Sequence, residues 1–186
     1  MANKWKQTAL LVIDMQKEFI LDDRSPLVKG GKAILSNVIK AVEIARQRGI
    51  LVIWVVREHD YFGRDLELFR RRTFTPGGPV TKGNEGAKMV DGLEIKEEDY
   101  KLVKTRFSAF FDTNLHTFLQ GVQTPNCIRQ TVFDAVSHDY HSVTVISDAT
   151  AAATTDVHEA NLFDMRNIEV ATPTLAEWAA ETNIAC

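Results

Sequence analysis

The sequence predicts an α/β fold of three layers, a doubly wound and mostly parallel sheet with helices on both faces, formed by residues 1–186 as a single domain. Two features carry this. Residues 8–14 (TALLVID) and 50–56 (ILVIWVV) are continuous apolar runs, the pattern of strands buried on both faces. Between them, residues 32–48 set Ile34, Val38, Ala41, Val42 and Ala45 on one helical face, and Gly49 supplies the stop. Strand, helix and strand with short joints make a βαβ unit, right-handed by default.

Asp14 ends the first strand, at the carboxyl edge where open α/β sheets bind ligands. Arg57-Glu58-His59-Asp60 crowns the second. His59 with Asp60 resembles a metal-ligand pair, but no second histidine is near in sequence, so no metal is expected. The long glycine- and proline-containing stretch 61–98 reads as a functional cover or a disordered segment. Residues 100–104 form a third strand ending in Lys104, residues 114–120 a short helix and 142–148 another strand. A helix over 156–165, a short strand over 168–170 and a closing helix near 175–180 complete the chain.

One further helix begins around Thr124-Pro125-Asn126-Cys127. Thr124 suits the N-cap and Pro125 the first helical position, which places Cys127 third. Unpaired N–H groups and the positive end of the helix dipole there favour thiolate over thiol. A small buried hydrophobe is the commoner use of a lone cysteine. If Asp14, Lys104 and Cys127 converge, the carboxylate can take the thiol proton and the ammonium can hold both partners in their charged forms.

A formal charge of −3 and a pI near 6.0 give no reason to expect nucleic acid or an anionic membrane as partner. The run Arg70-Arg71-Arg72 is read as a solvated face. Two cysteines cannot make a disulfide framework, so the composition suggests a reducing, cytoplasmic setting. The start of the chain shows no signal-peptide pattern, and no apolar run is long enough to span a bilayer.

Three motifs resemble the isochorismatase-like cysteine hydrolases, which include nicotinamidases and the ureidoacrylate and N-carbamoylsarcosine amidohydrolases. They are Leu11-Val12-Ile13-Asp14-Met15-Gln16, Val103-Lys104-Thr105-Arg106-Phe107-Ser108-Ala109-Phe110, and residues 121–131 (GVQTPNCIRQT) with Asp134-Ala135 after them. The resemblance implies a catalytic triad of Asp14, Lys104 and Cys127. It also implies a cis peptide between Val122 and Gln123, which turns the N–H groups of Gln123 and Cys127 toward an oxyanion. The implied chemistry is cleavage of a C–N bond in a small amide or ureido substrate through a thioester, without a cofactor. A homo-oligomer is implied as well. Phe19, Arg57, His59 and Arg64 are the expected substrate-binding residues.

The chain departs from the family pattern twice. Where nicotinamidases carry metal-binding aspartate and histidines, it reads residues 57–65 (REHDYFGRD), so nicotinamide is not the expected substrate, and the Arg57/Arg64 pair suggests one with negative charge. Lys104 and Cys127 are separated by only 127 − 104 = 23 residues, short by roughly ten, about one strand and its turn. Either residues 115–122 are recruited as the central strand or the sheet lacks it, and impaired activity is expected. The alternative function is an inactive nicotinamidase-like protein of the same fold with a binding or assembly role.

Overall fold

The computed structural model describes residues 4–21, 30–115 and 126–182. The apolar runs form β1 (Ala9–Ile13) and β2 (Leu51–Arg57), joined through helix α2 (Gly31–Arg48), with α1 (Lys17–Ile20) a single turn after β1. The third strand, β3 (Tyr100–Lys104), pairs with the far side of β2. The sheet is parallel in the order β1-β2-β3, with Val12 opposite Trp54 and Arg57 opposite Lys104.

Alternation along the strands divides the core in two. Leu10, Val12, Val52 and Trp54 face one cluster, which Val38, Ala41, Val42 and Ala45 of α2 cover at helical spacing. Leu11, Ile13, Ile53, Val55 and Leu102 face the other, closed by Ala109 and Leu115 from the segment after β3. Gly49 ends α2 at φ 70°, its N–H reaching the carbonyls of Ala45 and Arg46. This left-handed position is one that glycine takes without steric cost.

The remaining helices are α3 (Leu68–Arg71), α4 (Cys127–Ser137), α5 (Thr155–Arg166) and α6 (Leu175–Ala180). A capping box between Thr174 and Glu177 opens α6. Ile128, Val132 and Ala135 of α4 join Leu162 and Met165 of α5 in the first core cluster. No helix among the described residues is long and apolar enough to cross a membrane.

Two expected strands are corrected. Residues 142–148 and 168–170 do not form ladder strands; the chain pairs there only at the parallel bridge between Thr144 and Ala171, supported by Val145 N to Ala171 O and Ser147 N to Pro173 O, both 2.8 Å. Among the described residues neither segment has a second partner, and a pair without neighbours on either side is marginal. A small void of about 20 Å³ is lined by Leu10, Leu11 and Val12 of β1 together with Ile146 and Ala149. The expected recruitment of residues 115–122, most of the helix at 114–120 and the cap at Thr124-Pro125 lie outside the described residues.

The stretch 61–98 is a cover held by specific contacts. His59 bridges to Thr81 and Gln16 to Met89, while the Gln16 amide accepts from Arg57 N at 2.7 Å and donates to the carbonyls of Arg57 and Ala87. A buried amide with its donors and acceptor filled fixes the cover over the strand tips.

Candidate active site

All three strands end at one edge, each in a charged side chain: Asp14 just past β1, Arg57 closing β2 and Lys104 closing β3. The Asp14 amide continues the ladder, donating to Val55 O at 2.8 Å, and the residue then turns left-handed at φ 55°. A non-glycine residue in that region carries strain on the order of 1 kcal/mol, a cost found at sites where direction matters. Here the turn brings the carboxylate to the tip of β3. Lys104 Nζ lies 2.9 Å from Asp14 Oδ2, 3.2 Å from Cys127 Sγ and 3.1 Å from Arg106 O.

Cys127 opens α4, the Asn126 carbonyl accepting the first helical hydrogen bond from Gln130. It takes the first helical position, not the third expected from sequence. Thr131 Oγ1 donates to Cys127 O and accepts from Ala109 N at 3.0 Å, which clamps this first turn to the segment after β3. Asp14, Lys104 and Cys127 thus meet at one point, although β2 lies between the strands that carry two of them. Val122 and Gln123 lie outside the described residues.

The electrostatics differ from the expectation of a ready thiolate. Burial pushes the Cys127 thiol up, the negative Asp14 beside it pushes the same way, and together they outweigh Lys104 and Arg57. Burial also works against the Asp14 carboxylate, but the Lys104 ammonium, hydrogen-bonded to it, and then Arg57 overcome it and hold the acid below its ordinary value. The resting pair is therefore a carboxylate and a thiol.

Arg57 does more than crown its strand. Only 1% exposed, its guanidinium lies 3.7 Å from Cys127 Sγ, donates to Arg106 O at 2.9 Å and pairs with Glu67 at 3.2 Å. It is a second cation on the sulfur. Glu67 also holds Arg70 at 3.0 Å, and the ring of Phe107 lies near both guanidiniums, at 5.6 Å from Arg57 and 5.3 Å from Arg70. Arg70 is thus no part of a solvated face. Arg71 and Arg72 are exposed, but the single turn of α3 directs Arg70 inward. The legible signal was Glu67, three residues earlier and on the same side of the turn.

Phe19, His59 and Arg70 line a cavity of about 350 Å³ with Phe69 and Phe74. Arg64 is elsewhere, three-quarters exposed and paired with Asp60 at 2.6 Å. The segment does not fit a metal ion. Asp60 is engaged by Arg64 and by the amides of Phe62 and Arg64, while Glu58 pairs with Lys101. Among the described residues, no group of three or more His, Cys, Asp or Glu side chains is placed to hold a metal.

The loop wall depends on Gly63, left-handed at φ 69°, where a Cβ would stand 2.6 Å from the Leu66 and Phe74 side chains. Gly63→Ala is expected to destabilise the protein by about 2 kcal/mol through strain and overpacking. A melting midpoint lowered by roughly 5 °C would show it, and an unchanged midpoint would mean that the loop yields freely.

The Isochorismatase domain family matches residues 8–177. An Arabidopsis thaliana protein called a probable inactive nicotinamidase is 65% identical over 194 residues, covering 97% of this chain and 99% of the relative. Since the chain has 186 residues, at least 194 − 186 = 8 aligned positions have no counterpart in it. A ureidoacrylate amidohydrolase of Klebsiella pneumoniae is 28% identical, covering 97% of this chain and 86% of that protein. Among solved structures, an isochorismatase family protein from Desulfovibrio vulgaris superposes with a TM-score of 0.88 at 37% identity, covering 92% of this chain and 96% of that one.

Proposed function

Because this chain belongs to the isochorismatase domain family, we propose that it is a cysteine hydrolase cleaving a C–N bond in a small amide or ureido compound, with Asp14, Lys104 and Cys127 as its catalytic residues. The observation that supports this most is Lys104 Nζ bridging the Asp14 carboxylate at 2.9 Å and the Cys127 sulfur at 3.2 Å.

In the first step Asp14 takes the thiol proton as Sγ attacks the carbonyl carbon, forming the C–S bond and a tetrahedral oxyanion. Asp14 Oδ2 is held by Lys104, while Oδ1 is buried with no other partner among the described residues, and is the oxygen left for that proton. Lys104 and Arg57 stabilise the thiolate as it forms. The N–H groups of Cys127 and Gln123, the latter after the Val122 peptide, are the proposed oxyanion donors. As the C–N bond breaks, Asp14 passes the proton to the departing nitrogen. Water, deprotonated by the same carboxylate, then attacks the thioester, and the proton returns to the thiol as the acid leaves.

Nicotinamide is not the proposed substrate, because Asp60 is engaged by Arg64 and, among the described residues, no group of three or more His, Cys, Asp or Glu side chains is placed to hold a metal. A second reading, a protein of this fold without hydrolytic activity, draws support from the name of the Arabidopsis relative and from the aligned positions that this chain lacks. Incubation with a panel of ureido acids and amides, followed by intact-mass analysis, separates the two. The hydrolytic reading expects ammonia release and an acyl adduct on Cys127, both lost in Cys127→Ala. If no compound is turned over and none acylates the thiol, the second reading holds.

A further inference from the structure

The two cations beside the sulfur are held by different carboxylates. Lys104 Nζ is held by Asp14 at 2.9 Å. Arg57 donates to Cys127 Sγ through Nη2 at 3.7 Å, and its other terminal nitrogen, Nη1, donates to Glu67 Oε1 at 3.2 Å. Its further acceptors are carbonyls of the segment after β3, Arg106 O at 2.9 Å and Thr105 O at 3.4 Å, and Lys104 Nζ shares the first of them at 3.1 Å. Among the described residues, Glu67 is thus the one carboxylate hydrogen-bonded to Arg57.

The Glu67 side chain is not spent on its own helix. It opens α3, its carbonyl accepting from the Arg70 and Arg71 N–H groups at 2.9 and 3.2 Å, yet its carboxylate makes no cap hydrogen bond. A polar side chain at a helix start ordinarily serves the unpaired N–H groups there. This one turns inward and is only 12% exposed. Oε2 stands 3.0 Å from Arg70 Nε without hydrogen-bond geometry, so the directional contact is the one to Arg57. The backbone around Glu67 is tied down, with Arg71 donating to Leu66 O and Arg64 O at 3.0 and 2.8 Å and Arg106 donating to Asp65 O. Without Glu67, Arg57 and Arg70 would face each other across the Phe107 ring without the carboxylate that joins them. A buried guanidinium keeps its charge and needs an acceptor for each donor edge, so it turns toward a new one and Nη2 leaves the sulfur.

We propose that Glu67 is a positioning residue, which aims the Arg57 guanidinium at Cys127 Sγ and so keeps the second cation beside the nucleophile. Its bearing on catalysis rests on the hydrolytic reading, but its effect on the sulfur can be measured without turnover. The charged groups around the thiol are Asp14 after β1, Arg57 of β2 and Lys104 of β3, with Glu67 and Arg70 behind Arg57 and with His59 and Asp65 beyond them. Because the thiol is pushed up, alkylation by iodoacetamide at pH 8 follows a small thiolate fraction, and loss of a cation lowers it. Arg57→Met should be alkylated roughly fivefold more slowly than wild type, since greater intrinsic reactivity of the more basic thiolate offsets part of the loss. Glu67→Ala should be slowed as much, and so should Glu67→Asp, which keeps the charge but is one methylene too short to reach Nη1. Glu67→Gln, which keeps the acceptor, and Arg72→Gln, on the exposed surface, should stay within about twofold of wild type. Adding Glu67→Asp to Arg57→Met should change nothing further, because Glu67 acts through Arg57.

Thermal melts identify the folded variants, and Glu67→Asp decides the matter where Glu67→Ala does not fold. A carboxylate acting by its charge alone would give faster alkylation in Glu67→Ala and the wild-type rate in Glu67→Asp. Either result, a slowing in Glu67→Gln as large as in Glu67→Asp, or a further slowing on the Arg57→Met background would overturn the proposal. If the wild-type protein releases ammonia from an amide, such a failure touches Glu67 alone. If the alkylation series holds and no compound is turned over, the hydrolytic reading fails and the role of Glu67 toward Arg57 stands.

Discussion

Lys104→Met is expected to lower stability by on the order of 3–5 kcal/mol, because it leaves the Asp14 carboxylate buried without its cation. The Lys104 side chain is fully buried and that of Asp14 is only 12% exposed, so water cannot replace the lost ammonium. Turnover should fall by roughly a thousandfold, since the variant loses both the group that keeps Asp14 a base and one of two cations stabilising the thiolate. The sign of the pH dependence is fixed by Asp14. Its folded value is depressed below 3.8, so the pair stabilises the protein above that pH and its contribution disappears as the pH falls through the depressed value. Urea unfolding at pH 7 should therefore show the largest gap between variant and wild type, narrowing below about pH 4. Identical unfolding curves at pH 7 would mean that the ion pair does not hold the site together.

The strand tips were legible because buried parallel strands and the helices between them leave periodic signatures. Asp14 and Lys104 stand where an apolar run ends in a charge, and the closing helix over 175–180 is marked by Thr174 and Glu177 at its start. The paired segments at 142–148 and 168–170 carried the same apolar signature yet make no strand ladder, because apolar character shows that a segment is buried and says nothing about whether a neighbour offers it a second row of hydrogen bonds. The thiol state was misread for a related reason. A helix start favours thiolate, but the burial of Sγ and the charge of Asp14 come from the packing of distant segments, and they prevail. Arg70 was hidden in a run of three arginines, where composition suggests solvent. Only the position of Glu67 across one turn, and the fact that Glu67 also serves Arg57, separates it from Arg71 and Arg72.

Asp14→Asn should move two readouts of the same sulfur in opposite directions. Hydrolysis should fall by roughly 10²–10⁴-fold, the usual contribution of a positioned base. Alkylation of Cys127 by iodoacetamide at pH 7 should accelerate, because the substitution removes a negative charge that holds the thiol up while leaving Lys104 and Arg57 beside it. The pH profile should change shape as well. In the wild type the carboxylate is ionised above 3.8 and the thiol is protonated below 9.0, so the reactive pair is fully formed across the neutral range and kcat/KM should be flat from about pH 5 to about pH 8. In Asp14→Asn the residual rate should follow the thiolate and climb with pH. A variant in which alkylation and hydrolysis fall together would show that Asp14 only supports the fold. One in which alkylation is unchanged would show that its charge does not reach the sulfur, and in either case the proton transfer from Cys127 to Asp14 would have to be abandoned.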